Sequence, residues 1–585
     1  MGKMQQQQRN GKVKNYSTEK GYGFIVPDDG SEDVFFLGSE VDHISRIKRN
    51  DRVCYRIRES KKHKGKKEAW DIKQLSDMSS SSVSKECFFS HSTINQLFGY
   101  EGAELEKPIN LKKWYLKPSF FSDLKSDTPI IIVAGNKGVG KTALFKTLIE
   151  ENKLENCIPI LIKPDEIEDL SYTNSNFLQM VRNWKLGMYT KITHELISFS
   201  GKCLAAPIKN QKLQKFSSAL IEYLSSVLKK KSNEITDKNF NVNSDQFANM
   251  INQDFFSDKT IYVYLDDLDR GWTISNNVTQ SLNAMLNALM DIASNNFNIR
   301  FRVSITSVVY YNIRSFNHTS DKFNGDVVWI QWTKKDIEKM LAMRIEKFFN
   351  PDGENDDGNN LTEDRMNELF DKIFEHSYLG TGKWDNVPFK QVIVSVVRDR
   401  PRDLVQLCKL AAKEAQKNRH DKIQTEDLAN ILNQYSLNKF QEAVLEYKME
   451  FPEIERLMRS FVPDEEEIHS KGNPFLYSRN QLLDKLDRIT KDGEYMINGK
   501  RATPAELATV LYKIGFINAR RDRGNHIERV VYDLNRYIFN EFTDNGYSYE
   551  VEPAYRFAVI PPMFREIPKY YFGPEFEKVK SIKSL

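Results

Sequence analysis

The segment from Pro129 to Asn152 constrains this chain more than any other. An apolar run, Pro129-Ile-Ile-Ile-Val-Ala134, passes directly into Gly135-Asn136-Lys137-Gly138-Val139-Gly140-Lys141-Thr142 and then into the helical pattern ALFKTLIEEN. A buried strand, a glycine-rich turn and a helix in that order form a cradle for phosphates. Glycines let successive backbone N–H groups converge, and the helix N-terminus adds a favourable field. Residues Gly135 to Thr142 are the candidate nucleotide-binding residues. Lys141 would reach the β and γ phosphates, and the Thr142 hydroxyl would contribute to a Mg²⁺ site.

A chain of 585 residues is too long for one core and predicts several domains. Charged residues at 28% and apolar residues at 40% are ordinary for globular proteins and exclude a largely disordered chain. The five cysteines (Cys54, Cys87, Cys157, Cys203, Cys408) are scattered, with no C-x-x-C, so neither a disulfide framework nor a structural zinc site is expected. Met1 to Asn10 is polar and Gln-rich, and Gln6 stands where a myristoylation site wants Ser or Thr. No apolar run approaches the roughly 20 residues that cross a bilayer. A cytoplasmic protein without membrane contact is the expectation.

The net charge of +4 is unevenly distributed, because residues 1 to 77 hold 17 Lys and Arg against 12 Asp and Glu. Eleven of those bases fall between Arg46 and Lys67, among them Arg56, Arg58, Lys61 and Lys62. Such a run is a footprint for phosphates. The same region alternates in the manner of strands: GKVKNYSTEKGYGFIV, then DVFF after the turn-forming Asp28-Asp29-Gly30. Tyr22 and Phe24, two apart, share a face, and Tyr16 and Phe35 are expected to join them from neighbouring strands. Aromatics beside a basic rim bind single strands by stacking.

These residues resemble the cold-shock domain, a small OB-fold barrel. Lys20 to Ile25 (KGYGFI) matches its first RNA-binding motif, while the second is partial, with Leu37 in place of a histidine and Asn15 in place of a tryptophan. The resemblance spans about 75 residues, closing with Ala69-Trp70-Asp71-Ile72. It implies single-stranded RNA or DNA as partner, with Lys14, Tyr16, Lys20, Tyr22, Phe24, Phe35, Arg56, Arg58, Lys61 and Lys62 as contacts. A barrel used for protein contacts is the alternative. Ser76 to Lys85 reads as a flexible linker.

A second apolar strand, Thr260 to Leu265, ends in Asp266-Asp267-Leu268-Asp269-Arg270. Carboxylates at a parallel strand's C-terminal end face the crevice that holds the phosphate loop. Asp266 is the candidate metal-side ligand and Asp267 the candidate for polarising an attacking water. A third strand, Ile299 to Thr306, places Ser304 or Thr306 as a γ-phosphate sensor. Arg398-Asp-Arg400-Pro-Arg402-Asp403 precedes an amphipathic helix, and Arg400 or Arg402 in cis, or Arg270 across a subunit boundary, could stabilise charge on a transferred phosphoryl group.

The set GNKGVGKT, YLDDLDR and RPRDL, with Trp329-Ile-Gln-Trp332 opening a helix, resembles the KAP and STAND-related P-loop ATPases, AAA-like NTPases with an additional strand. The resemblance covers about residues 88 to 460. It implies ATP with Mg²⁺, nucleotide-gated homo-oligomers, and frequent use in bacterial anti-phage systems. Some KAP proteins insert transmembrane helices after the first helix; here the insert at about 165–256 carries Lys191, His194, Glu195 and Lys202 and reads as soluble helices.

Beyond a polar loop at Asp352 to Asn360, the helix pattern QLLDKLDRIT, a Thr503-Pro504 helix start, and strands at ERVVYDL and YRFAVIPPMF suggest a winged helix, with Arg520, Arg521 and Arg523 on a wing. Subunit packing is the alternative use. The expected architecture is multidomain: a cold-shock-like barrel (1–77), a lead-in (78–100), an α/β P-loop core (101–345), a helical lid and connector (346–470) and an α+β winged-helix-like domain (471–585). No H-E-x-x-H, G-x-S-x-G or nuclease carboxylate set occurs, so ATP hydrolysis is the one chemistry expected. Three functions follow: a nucleic-acid-sensing ATPase whose nucleotide state governs assembly, a slowly hydrolysing scaffold that recruits a separate effector protein, or a DNA loader.

Overall fold

The computed structural model describes residues 9–17, 22–28, 30–37, 51–59, 67–74, 89–152, 157–167, 176–205, 259–268, 276–316, 326–351, 361–379, 385–464, 467–468, 473–497, 499–522, 527–532, 538–539 and 546–560. The linker at 76–85, most of the predicted insert beyond 205, and the polar loop at 352–360 lie outside them. Two compact units emerge, Met1–Cys87 and Phe88–Leu585.

The first unit is a closed barrel of β1 (Arg9–Ser17), β2 (Tyr22–Pro27), β3 (Val34–Leu37), β4 (Arg52–Glu59) and β5 (Lys67–Gln74), in the order β1-β2-β3-β5-β4. Alternation along each strand buries Val13, Ile25, Phe36, Val53, Tyr55 and Ile72 in one small core. A register shift between Val13 and Asn15 interrupts the β1 and β2 pairing. Such a bulge reverses which face later residues occupy.

In the second unit, α1 (His91–Phe98) and α2 (Pro108–Trp114) lead into a parallel sheet. Its strands are β6 (Ile130–Ala134), β7 (Cys157–Ile162), β8 (Thr260–Leu265), β9 (Ile299–Ile305) and β10 (Val327–Trp329), in the order β10-β6-β9-β8-β7. β9 is therefore inserted between the strand that carries the glycine-rich loop and the strand that carries Asp266. All five residues of β6 are buried, as expected for a central strand packed on both faces. β7 contains Pro159 and sits at the sheet edge, where a missing N–H is tolerated.

Around the sheet lie α3 (Lys141–Asn152), α4 (Phe177–Ala205), α5 (Asn276–Asn295) and α6 (Ser307–Phe316). Trp184 of α4 is buried and donates its indole N–H to Ser281 of α5 at 3.1 Å. Among the described residues no helix is long and apolar enough to cross a membrane. The Trp329 to Trp332 segment does not open a helix as expected: Trp329 ends β10, and α7 (Lys334–Phe349) starts only after Thr333, whose hydroxyl caps Asp336 N–H. β-branched and aromatic residues at 327–329 pair with β6 instead.

The helical part continues with α8 (Glu363–Phe370), a hairpin of β11 (Ser377–Leu379) and β12 (Asp385–Pro388), α9 (Phe389–Ser395), α10 (Pro401–Asn418), α11 (Thr425–Tyr447) and α12 (Ile454–Arg459). Pro401 stands in the first turn of α10, where its missing N–H costs nothing.

The C-terminal part is α+β. β13 (Leu476–Tyr477), α13 (Arg479–Asp492), the short hairpin β14 (Met496–Ile497) with β15 (Lys500–Arg501), and α14 (Pro504–Lys513) precede β16 (Ile517–Asp522), β17 (Ile527–Val530) and β18 (Ser548–Val551). The larger sheet runs β13-β18-β16-β17, so helix, helix and hairpin follow in winged-helix order. Thr503 and Glu506 form the capping box that starts α14. One expected strand is wrong: 555–559 lies in α15 (Pro553–Val559), with Pro553 in its first turn, and 561–564 lie outside the described residues. The run is buried on nearly all sides, so it carries no helical periodicity to read.

Candidate functional site

The glycine-rich loop joins β6 to α3 with Gly138 at φ 83° and Gly140 at φ 95°, a region that favours glycine. Gly138 is constrained twice, because a Cβ there would lie 3.2 Å from Cβ of Arg402. Lys141, the first residue of α3, folds over the loop and donates to the carbonyls of Gly135 at 2.9 Å and Asn136 at 3.2 Å. The buried Trp332 indole donates to Val139 O at 2.8 Å and braces the loop from behind.

Parallel pairing of β6, β9 and β8 delivers Asp266, Asp267 and Ser304 to the same end of the sheet as this loop. Asp266 is buried, and its Oδ1 accepts the Ser304 hydroxyl. Among the described residues its Oδ2 is buried with no hydrogen-bond partner. Burial pushes the Asp266 pKa upward, against the opposing pull of Ser304 and Thr142. An orphaned anionic oxygen beside two hydroxyls is a set of hard donors suited to Mg²⁺. Asp267 has left-handed backbone, φ 59°, and its Oδ2 accepts from Lys163 Nζ at 3.1 Å. Lys163 follows β7 directly.

Thr142, Asp266, Asp267 and Ser304, though not Lys163, line one cavity of about 430 Å³. Its phosphate-side wall is Lys137, Gly138, Lys141, Thr142, Asp266 and Ser304. The facing wall comes from residues 100–111, which in the structure form the lead-in to the sheet (Tyr100, Glu101, Glu106, Leu111), and from the lid (Arg402, Val405). Lys146 on α3 secures the lead-in by donating to the carbonyls of Ala103 at 2.7 Å, Glu104 at 3.0 Å and Glu106 at 3.3 Å. Glu106 in turn accepts Tyr100 N–H at 2.7 Å.

The structure brings together most of the residues singled out in the sequence. Lys137, Gly138, Gly140, Lys141, Thr142, Asp266, Asp267 and Arg402 line the cavity, and Arg400 Cδ comes within 3.9 Å of a Gly138 Cβ without lining it. Ser304 lines the cavity and Thr306 does not: Thr306 lies beyond the end of β9, its carbonyl accepting Tyr310 N–H at the start of α6. Arg270 lies outside the described residues. Sequence reading missed Lys163 and the lead-in wall; the position of Lys163 straight after a parallel strand was the available signal, obscured by Pro159.

On the barrel, Tyr22, Phe24 and Phe35 form an outer cluster with ring centroids 5.6 to 6.4 Å apart. Register carries that face across β3 to Glu68 and Arg58, which pair at 2.8 Å, while Arg56 and Arg58 lie over the Trp70 ring at 5.6 and 5.9 Å. Tyr16 does not join the cluster. The bulge turns it to stack on buried Phe36 at 5.7 Å, and the Phe36 ring closes over Gly23, where a Cβ would lie 2.6 Å from it. Lys14 is exposed and paired with Asp33. Lys20, Lys61 and Lys62 lie outside the described residues. In the C-terminal sheet, Arg520 is buried against Glu550 at 3.7 Å rather than projecting from a wing, Arg521 lies over the Tyr547 ring, and Arg523 lies outside the described residues.

A glycine-rich phosphate loop, an additional strand beside it and a helical lid closing over it define a P-loop NTPase fold of the AAA-like, additional-strand type, here preceded in the chain by an OB-type barrel. Residues 9–75 match the family described as the 'Cold-shock' DNA-binding domain, and residues 335–444, which span α7 to α11, match the FunZ-associated C-terminal helical domain. The putative transposon gamma-delta 80.3 kDa protein of Escherichia coli K12 is 22% identical over 451 residues, covering 72% of this chain and 61% of that protein. The chain therefore spans less than two thirds of that relative's length. The major cold shock protein of Micrococcus luteus is 41% identical over 54 residues, 9% of this chain and 81% of that one. Among solved structures, the Aeropyrum pernix ORC2 protein in its ADPNP-ADP complexes aligns at a TM-score of 0.35 and 11% identity, covering 82% of this chain and 93% of its own. The Thermotoga maritima RuvB Holliday junction branch migration motor aligns at 0.28 and 11%, covering 74% and 95%.

Proposed function

We propose that this protein is a Mg²⁺-dependent ATPase whose barrel binds single-stranded RNA or DNA and whose nucleotide state governs its assembly into homo-oligomers. The observation that carries the reading is the meeting of Lys141, Thr142, Asp266 and Ser304 in one cavity, with Arg402 entering from the lid. Thr142 and Asp266 would hold the metal ion. When bound, that ion neutralises charge on the phosphoryl oxygens. Lys141, at the start of α3, binds the β and γ phosphates, and Arg402 stabilises charge that builds on the transferred group. Asp267, once freed from Lys163, orients the attacking water. Tyr22, Phe24 and Phe35 supply a sequence-tolerant stacking surface for bases. The resemblance of DDLDR to the KAP motif supports a role in bacterial anti-phage defence, with foreign nucleic acid as trigger.

The Lys163–Asp267 pair favours a second reading, in which nucleotide is held with little turnover and the chain acts as a scaffold for an effector. The duplex-loader reading has less support, since Glu550 engages Arg520. Steady-state ATP hydrolysis of wild type, Lys141→Ala and Phe24→Ala/Phe35→Ala, with and without single-stranded RNA, single-stranded DNA and duplex DNA, separates the three. Stimulation by single strands that disappears in both variants supports the sensing ATPase. Binding without turnover supports the scaffold, and stimulation by duplex that survives the barrel changes supports the loader. Wild type with no nucleotide binding refutes all three.

A further inference from the structure

Behind the first turn of α10, on the side away from the cavity, lies a buried group of charges that phosphate chemistry does not call for. Arg398 donates to both carboxylate oxygens of Asp403, at 2.5 and 3.1 Å. A further guanidinium N–H goes to the Tyr555 hydroxyl at 2.7 Å and another to Glu442 at 3.3 Å. Lys439 completes the group, reaching Asp403 at 3.1 Å and Glu442 at 2.8 Å. Two cations thus face two anions, and the balance is sealed by the fully buried Tyr555, whose ring lies 5.5 Å from the Arg398 guanidinium. Buried charges bring little net stability because desolvation offsets their attraction, but they fix position sharply.

The position they fix is that of the lid. Successive helix residues point about 100° apart, so one turn sends Asp403 into the charge group and Arg402 towards the cavity. Arg402 is held there by its own N–H to Gly138 O at 3.3 Å and by its side-chain Nε to Glu101 O at 3.2 Å. Helix α15, which carries Tyr555, is itself tied to α11 by Ala558 N–H donating to Ser436 Oγ at 2.9 Å.

We infer that Tyr555 is a positioning residue for the nucleotide site: through Arg398 and Asp403 it sets the first turn of α10 so that Arg402 meets bound nucleotide, which makes the C-terminal helix α15 a determinant of nucleotide affinity. The inference rests on the proposed ATP site. By linkage, nucleotide binding tightens the docking of α15 by the same factor.

The test is titration of the full-length protein with a fluorescent ATP analogue in Mg²⁺, comparing Tyr555→Phe, Arg402→Ala and the double variant. Tyr555→Phe keeps the ring and removes one hydrogen bond, and is expected to weaken affinity about five-fold or more. Because Tyr555 acts through Arg402, the double variant is expected to match Arg402→Ala alone within about two-fold. A role in folding alone would instead multiply the two losses. Glu442→Gln, on the half-exposed side of the same group, should repeat the pattern and serves if Tyr555→Phe does not fold. Wild-type affinity in both Tyr555→Phe and Glu442→Gln, or multiplied losses in the double variant, would overturn the inference while leaving the ATP site intact. Wild type that binds no better than Lys141→Ala would remove the ATP site itself.

Discussion

Lys163 Nζ lies 3.1 Å from Asp267 Oδ2, so the carboxylate proposed to orient water is already engaged by a cation from the neighbouring strand end. Left-handed backbone at Asp267, tolerated by a short polar side chain, aims it at that partner. Lys163→Ala is expected to raise basal ATP hydrolysis by about two- to five-fold, the equivalent of the 0.5–1 kcal/mol of a partly exposed pair. The Asp267 hydrogen bond outweighs burial and raises the Lys163 pKa. A raised lysine pKa means the pair is fully formed below the unfolded value near 10.4 and is lost only as pH rises through the folded one. The ratio of variant to wild-type rate should therefore stay constant from about pH 6 to 9; a ratio that collapses towards one in that window would contradict the restraint.

Asp266→Asn separates stability from activity. Burial disfavours the Asp266 carboxylate, and an amide of the same shape retains an acceptor for Ser304 without the charge. Hydrolysis is expected to fall about 100-fold or more, while the urea unfolding midpoint of the apo protein stays at or above wild type. A variant that loses stability along with activity would show that the carboxylate is chiefly structural.

On the barrel, the rings divide by face. Phe24→Ala or Phe35→Ala should each weaken binding of a short single-stranded oligonucleotide by roughly 1–3 kcal/mol, measured by fluorescence anisotropy, without lowering barrel stability comparably. Tyr16→Ala should do the reverse, because its ring packs on Phe36 in the core. Equal affinity losses at Tyr16 and Phe24 would place Tyr16 on the binding face after all.

Asp403→Asn leaves Arg398 and Lys439 buried with one anion fewer. A loss of about 3–5 kcal/mol in urea unfolding is expected from breaking such a group. Burial alone would raise the Asp403 pKa, but the two cations overcome it and hold the carboxyl far below the usual range. A depressed carboxylate pKa contributes stability above the unfolded value near 3.9, lost as pH falls through the folded one. The deficit of the variant should thus be unchanged between about pH 5 and 8, and a deficit that shrinks on acidification within that range would argue against a permanently ionised Asp403.

What could be read from the sequence was whatever local chemistry dictates. Glycine spacing between a buried strand and a helix defines the phosphate loop within 24 residues, Pro129 to Asn152. The KGYGFI motif, the aspartates closing β8, the proline start of α10 and the capped start of α14 are equally short-range, set by backbone conformation, strand alternation and orphan N–H groups. Tertiary structure decided the rest, because the deciding partners are far apart in the chain. Lys163 and Asp267 are 104 residues apart and meet only because β7 pairs with β8. Gly138 receives Arg402 because the lid folds back over the loop. A single bulge turned Tyr16 from the outer aromatic face onto Phe36 of the core, and the run at 555–559, buried on nearly all sides, became a helix. Local pattern names the groups that can do chemistry; only long-range strand order and packing determine which of them touch.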